Sequence, residues 1–588
     1  MRSAILLELL SSCLVGIVVA IPRGQTYHSR PDILAPILHN RVASHDAVEP
    51  GYIFFSVWGG VGQWAPYIYD SDLNLVWSGY DPAFSALGHF NFQAHHYANG
   101  TQLLSVFRGM SVGGRGRGSV LLLDDSYTIT HNIRSSNPAF ALDFHEVSIR
   151  AESNTAIITA YPTRRMDLSL FDVTESMGWV LDSMFQEIDL NSGSVVFEWT
   201  ASDHIPLEET TISPALKHGG GLSSHFPFDY CHVNSVDKFA NGDYLISSRH
   251  TNTIYRISHV DGSILWRLNG DNSSTAETYI PLQDYNFAAQ HDARVRRESA
   301  DGNEIELTLV DNADNGQYYT QDYSSALRVA ISFASGRATS RLLQTWLPFE
   351  DGQAEHQGTV QYDMPVTGNT LVSWGEIAEF SEFSPSGKRV LDVAFADELL
   401  HVYRVMKASW IGRPKTKPDL YMYARSRDEK TQFYMSWNGA TEVKEWRCFA
   451  IEGDVRANLG VVKREGFETH FEWDGEVDRG MVEALDGDGH VLGTSEVVDL
   501  TMPPTHMAAK CGVADCSLQV LQVPKPEEEK EEATMVPDLL VEEPLRAWNM
   551  HVLQLVWPLL VGWLFGRFGH QVWPFSYQHS AIVRRRSD

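Results

Sequence analysis

Histidine recurs along this chain in one setting. His145 stands in "LDFHEVSIR", His232 in "DYCHVNSVDKFANGDYLISSRH", His291 in "AAQHDARVRR" and His356 in "AEHQGTVQYD". His96, or its neighbour His95, stands in "FQAHHYANGTQLLSVF". In each, the His heads a strand that runs to a turn and on into an apolar strand. Arg249 and His250 close the strand pair that His232 opens. Several imidazoles brought together support two chemistries. Three or more can hold zinc or copper, or they can divide into nucleophile, proton shuttle and charge stabiliser. Arg249 favours the second. Its guanidinium does not ligate metals, repels a cation, and matches a tetrahedral oxyanion through paired hydrogen bonds. The expectation is an anion site without a metal.

The elements that must position these residues are strands. Turn signals recur at "ANGT" 98, "NSGS" 191, "ANGD" 240, "VDGS" 260, "ADGN" 300, "ASGR" 334, "VTGN" 366 and "PSGK" 385. Each lies between runs of alternating apolar residues, the signature of a hairpin. No sustained helical period appears between 50 and 410. Most histidine units continue into a second hairpin that ends in an aromatic, as in "GSVVFEW", "GSILWRL" and "GRATSRLLQTW". With the entry unit "GYIFFSVWGG" there are six such units, which predicts an all-β chain with a six-bladed β-propeller over residues 50–412. A strand-head position repeated in every blade lands on one ring around the central channel, so histidines remote in sequence would converge there. Residues 416–500 differ. "WNGATEVKEWRCF" and "RGMVEALDGDGHVLG" read as a small β-sandwich, immunoglobulin- or fibronectin-like by analogy. The aspartates of "LDGDGH" lack calcium-loop spacing and read as a hairpin turn.

The 588-residue chain is 43% hydrophobic and 21% charged, ample for a large core. Its net charge of −29 argues against nucleic acid as a partner, because counterion release needs surplus Lys and Arg. A small, locally positive cluster within an acidic surface still suits an anionic substrate. Residues 1–20 read as a signal peptide, 501–545 as an acidic linker, 547–565 as a transmembrane helix flanked by tryptophans, and 566–588 as a basic tail. That order predicts the secretory pathway, with a luminal or extracellular body anchored in the membrane by a C-terminal helix. Removing Cys13 with the signal leaves Cys231, Cys448, Cys511 and Cys516, an even set compatible with disulfides. Asn99 and Asn272 head N-glycosylation sequons. No GxxxxGK[ST], HExxH or GxSxG motif occurs, so nucleotide-phosphate, zincin and serine-hydrolase chemistries lack support.

"CHVNSVDKFANGDYLISSRHTNTIYRISHVDGSILWRLNG", "QHDARV" and "LVDNADNG" resemble the arylsulfotransferase family in its eukaryotic, mainly fungal, branch. "SWNGATEVKEWRCFAIEG" and "ALDGDGHVLGTSE" look like the added C-terminal module of that branch, so the resemblance spans about residues 50–500. It implies transfer of a sulfuryl group from a phenolic sulfate ester to a phenol, with no nucleotide donor and no cofactor, through a transiently sulfated histidine. By motif, His291 matches the nucleophile. His232 and Arg249 match the segment that binds the sulfuryl oxygens, His145 the remaining histidine, and Asn312 a residue lining the channel. His356 joins the ring without an assigned role. On this reading Arg249 and a protonated His232 neutralise the sulfuryl oxygens while His145 carries a proton between donor and acceptor. Two other readings stand beside it. One is a binding or adhesion propeller that keeps the ring without turnover. The other is a metal-dependent lyase or hydrolase.

Overall fold

The structure, a computed structural model, describes residues 24–42, 47–60, 62–135, 137–171, 177–214, 220–270, 278–317, 319–333 and 336–503. The signal-like segment 1–20, the apolar segment 547–565, the basic tail 566–588, nearly all of the acidic linker 501–545 and the sequon at Asn272 lie outside the described residues. Among the described residues no helix is long and apolar enough to cross a membrane. Cys231 and Cys448 are free thiols, buried in separate cores. Cys13, Cys511 and Cys516 are outside the described residues.

Antiparallel hairpins build the body. After β1 (Leu38–Asn40) come β2 (Tyr52–Gly59), β3 (Pro66–Tyr69) and β4 (Leu75–Ser78). Next are β5 (Gly88–His96), β6 (Gln102–Val112), β7 (Arg115–Leu123) and β8 (Ile129–Ile133). Then follow β9 (Leu142–Arg150), β10 (Thr155–Ala160), β11 (Met184–Asp189) and β12 (Val195–Thr200). The opening "DYCH" segment leads into β13 (Val233–Lys238), β14 (Tyr244–Ser248), β15 (Thr253–Ile257) and β16 (Ile264–Asn269). The last groups are β17 (His291–Glu298), β18 (Glu304–Asp311), β19 (Ser325–Ser332) and β20 (Thr339–Trp346), then β21 (Thr359–Gln361), β22 (Thr370–Ser373), β23 (Glu379–Phe383) and β24 (Arg389–Phe395). β25 (Leu400–Ala408) returns to pair with β2, and β1 pairs with β24. A single register pair, Leu142 with Gly118, joins the β5–β8 and β9–β12 groups into one eight-stranded sheet.

Glycine makes the predicted turns possible. At "ANGD" Gly242 takes φ 101°, and at "VDGS" Gly262 takes φ 73°, conformations that side chains with a Cβ resist. The expected alternation of apolar and polar residues fails in the middle strands. β10 and β14 are buried at every position, whereas outer strand β12 is buried only at Trp199. The reason is stacking: both faces of a middle strand are covered by neighbouring sheets. Ile157, Phe185 and Trp199 pack on Val236, Tyr244 and Ile246, and Leu245 and Ile254 pack on Leu307 and Val329. The series closes, because Leu371, Phe380 and Val393 share a cluster with Ile53, Phe55 and Val402.

The first strands of the groups touch in order: β5 on β9, β9 on β13, β13 on β17, β17 on β21, β21 on β25 and β25 on β5. Five of them carry a register shift at the same phase. The shifts fall at Phe90/Gln93, Leu142/Val147, Val233/Ser235, His291/Arg294 and Val402/Val405. A bulge inserts a residue, bends the strand and re-aims its side chains. His232 (φ 57°) and Asp292 (φ 54°) sit there in the left-handed region, a strain of about 1 kcal/mol or more each.

Beyond β25, two sheets enclose one core. β26 (Asp419–Tyr423), β27 (Thr431–Ser436) and the strand Glu468–Trp473 form the first; Glu445–Glu452, Val455–Lys463, Arg479–Leu485 and Val491–Thr494 form most of the second. Phe433, Met435, Trp446, Cys448 and Val482 fill the space between. The reading by sequence begins its large domain at residue 50, yet β1 and Tyr27, Ile33 and Ala35 already belong to the core. A three-residue strand carries no periodicity to detect.

Candidate active site

The bulged strands and the loops beside them open on a cavity of about 350 Å³. His145, His232, Arg249, His250, His291 and His356 line it, with Trp58, Phe90, Phe144 and Tyr403 as its aromatic walls. The His145 and His232 rings lie 4.6 Å apart between centroids, and His232 and His250 lie 4.8 Å apart.

Each of the three central imidazoles is held at Nδ1. His145 Nδ1 donates to Asp143 Oδ1 at 2.5 Å, and the same carboxylate accepts the backbone N–H of His145 at 2.9 Å. His232 Nδ1 donates to Asp229 Oδ2 at 2.5 Å. His291 Nδ1 donates instead to an amide, Asn312 Oδ1, at 2.7 Å. Asn312 is fixed in turn, its Nδ2 donating to the carbonyls of Ala354 and Gln357 at 3.0 Å each. With Nδ1 carrying the proton, Nε2 of the neutral His232 and His291 rings presents its lone pair. Arg249 Nη1 donates to His250 Nε2 at 2.9 Å, and His250 Nδ1 donates to the Asp229 carbonyl at 2.5 Å. Arg249 Nη2 donates to the Glu355 carbonyl at 3.0 Å.

Burial decides the charges. It pushes His232 down to about 4, more than the Asp229 carboxylate pulls it up. Burial, with the Arg249 charge beside it, holds His291 well below the ordinary histidine value. The cluster at neutral pH therefore has a neutral His232, not the protonated one expected from sequence. Asp143 is ionised: burial raises its pKa, but the His145 imidazole and the N–H groups around it outweigh that and hold it low.

His145, His232, Arg249, His291 and His356 are thus gathered at one cavity. Asn312 stands behind His291 and does not line that cavity. His356 is half-buried, with Nε2 3.8 Å from Glu376 Oε2. His95 and His96 are not in the cluster. They end β5 rather than head it, His95 donating or accepting at Ser105 Oγ, 2.7 Å away, and His96 lying exposed. Asn99 is exposed in the adjoining turn. Sequence reasoning passed over Asp143 and Asp229, although "DFH" and "DYCH" carry them at short spacing. It gave no role to His250, and His401, Tyr403 and Trp58 arrive from the closing strands β25 and β2.

Asp229, His232 and His250 offer ligand atoms within 4.8 Å of one another. A cation there would meet the Arg249 guanidinium and compete for nitrogens already engaged. The Arg249 guanidinium, the one Arg or Lys side chain among the described residues lining the cavity, suits an oxyanion instead. Asp486, Asp488 and His490 form a second such group in an exposed turn, where the Asp486 N–H donates to the His490 carbonyl at 3.0 Å.

The family model described as "Arylsulfotransferase (ASST)" matches residues 95–396. No curated protein matches the chain. Among solved structures, a protein of unknown function from Bacteroides caccae is 10% identical, covering 61% of this chain and 98% of its own, with a TM-score of 0.32. A catalytically inactive virginiamycin B lyase from Staphylococcus aureus is 10% identical over 63% of this chain and 84% of its own, with a TM-score of 0.23. Apo AztD from Citrobacter koseri is 8% identical over 73% and 100%, with a TM-score of 0.24.

Proposed function

The chain belongs to the arylsulfotransferase family, and from that membership we propose that it carries a sulfuryl group from an aryl sulfate ester to a phenolic acceptor on His291, with no nucleotide donor. The difference between the three imidazole supports carries this reading. A proton shuttle benefits from a carboxylate on Nδ1, which stabilises the imidazolium that forms. A nucleophile needs an unprotonated Nε2. His145 and His232 have Asp143 and Asp229, whereas His291 has the neutral amide of Asn312 and the cation Arg249 nearby.

The steps then balance. His291 Nε2 attacks sulfur, the S–O bond to the aryl oxygen breaks, and imidazolium His145 protonates the departing phenolate. The acceptor phenol enters, His145 takes its proton back, the phenolic oxygen attacks sulfur, and the S–N bond to His291 breaks. Arg249 supplies the charge that faces the sulfuryl oxygens. Glu355 Oε1, 4.0 Å from Arg249 Nη2, is on a side chain 45% exposed, so it can turn to solvent when an anion arrives. Neutral His232, backed by Asp229, is a second site for a proton. Trp58, Phe90 and Phe144 suit the aryl groups.

The six-bladed propeller belongs to the same proposal and is supported by the closed series of packed sheets. The fungal branch is supported by the added module with its "SWNGATEVKEWRCFAIEG" strand pair. A secreted, membrane-anchored placement rests on segments 1–20 and 547–565 alone and is tested by carbonate extraction of membranes. The test of the chemistry is intact-mass analysis after mixing with 4-nitrophenyl sulfate. One added sulfuryl group, lost on adding phenol and absent in His291→Ala, is expected. An adduct that survives in His291→Ala removes His291 from its role; nitrophenol release equal to buffer alone leaves a binding protein.

A further inference from the structure

A second cavity, of about 410 Å³, lies on the other side of the bulged strands. His145 and His291 line the first cavity, and their chain neighbours Glu146 and Asp292 line the second. The lining is rich in cations: Arg150, Lys238, Arg294, Arg296 and Arg404. Four of these have carboxylate partners. Arg150 Nη1 is 3.1 Å from Asp237, and Lys238 Nζ is 2.6 Å from Glu187. Arg294 is 2.7 Å from both Glu146 and Asp292, and Arg404 is 3.2 Å and 3.4 Å from the same two. The carboxylates are consumed by these pairs.

Arg296 is the odd cation. Its Nε donates to Thr308 Oγ1 at 2.8 Å and its Nη2 to the Val360 carbonyl, so its plane is fixed by neutral groups. Among the described residues no carboxylate comes within ion-pair distance of it. Arg296 is half-buried, and the carboxylates whose charge reaches it, Asp292 and Asp237, are already paired with Arg294, Arg404 and Arg150, which leaves this rigid guanidinium as the cation in excess of the cavity's carboxylates. We propose that this second cavity binds a small oxyanion-bearing ligand, carrying a sulfate, phosphate or carboxylate group, with Arg296 as its anchor. The ligand is held apart from the histidine cavity by the Glu146, Asp292 and Arg404 network, so it is not the group that reacts at His291.

The experiment uses the full chain and three probes: sodium sulfate, sodium phosphate and sodium benzoate, titrated calorimetrically with chloride as the ionic-strength control. Arg296→Gln is expected to lose one binding event, at least tenfold in affinity, while its turnover of 4-nitrophenyl sulfate is unchanged. Arg249→Gln is expected to keep that event. The rank order of the three probes tells which oxyanion class fits. Equal isotherms for wild type and Arg296→Gln with all three probes overturn the proposal. Should Arg296→Gln not fold, wild-type crystals soaked in selenate decide: an anomalous peak beside Arg296 is expected, and its absence from that cavity while present at Arg249 overturns the site.

Discussion

At the scale of the residue, the burial of the imidazoles sets both chemistry and acid stability. His232 is pushed down to about 4 in the folded chain and returns to about 6.5 when unfolded. Below pH 6.5 the unfolded chain binds a proton that the folded chain refuses, so this contribution to stability is whole above pH 6.5 and drains away as pH falls towards 4. His291 acts in the same direction. Urea midpoints measured from pH 7 to 4.5 should therefore fall less steeply in His232→Gln than in wild type; parallel curves would show that His232 titrates normally. Part of this site could be read without coordinates. His145, His232 and His291 share a phase in the repeat, Arg249 closes the strand pair that His232 opens, and "DYCH" and "QHDAR" bear the family resemblance. The protonation state could not be read, because it depends on desolvation by strands far away in sequence. The inclusion of His95 and His96 failed for a related reason: next to the "ANGT" turn they end a strand, and only pairing shows which end faces the histidine cavity.

At the scale of the element, the inner strands work through their bulges. Arg404 ties these together. It donates to Asn91 Oδ1 at 2.8 Å, to the carbonyl of His145 at 3.1 Å and to Glu146 Oε1 at 3.2 Å, and it is 6% exposed. The bulge residues of neighbouring strands thereby satisfy one another's polar groups, as buried groups must. Arg404→Met should cost about 3 kcal/mol, the lower end for removing one partner of a buried pair, because Arg294 still holds Glu146 and Asp292. It should also slow sulfation of His291, since the carbonyl that fixes His145 is released. Denaturant unfolding and the intact-mass time course measure the two effects; a loss under about 1 kcal/mol would mean that the bulges hold without it. Strands and turns were legible from Gly, Asn and Asp at the hairpins. The bulges were not, since "FHEV", "CHVN" and "QHDA" alternate no differently from regular strand.

At the scale of the whole molecule, the described chain is tied together at several long-range seams. β1 closes the last group of strands and β25 closes the first, and the segment before β1 reaches the second module, where Ser29 Oγ donates to Glu468 Oε2 at 2.8 Å. The module is docked a second time through Asn438, which exchanges two hydrogen bonds of 2.9 Å with the backbone of Ser78. Gly439 lies beside it against Tyr127 and Trp77, so close that a Cβ would collide with both rings. None of these contacts leaves a trace in local sequence pattern, which is why residues 416–500 read as a separate appendage. Their geometry makes the module part of the body. Asn438→Ala removes both hydrogen bonds of the exchange and should cost about 1–2 kcal/mol. The connecting segment 411–418 is then less well held, and exposed Lys415 within it is a trypsin site. Faster tryptic cleavage after Lys415 in Asn438→Ala than in wild type, under native conditions, is the expected result; equal cleavage rates would mean that the module is held by its other seams and that this exchange contributes nothing to docking.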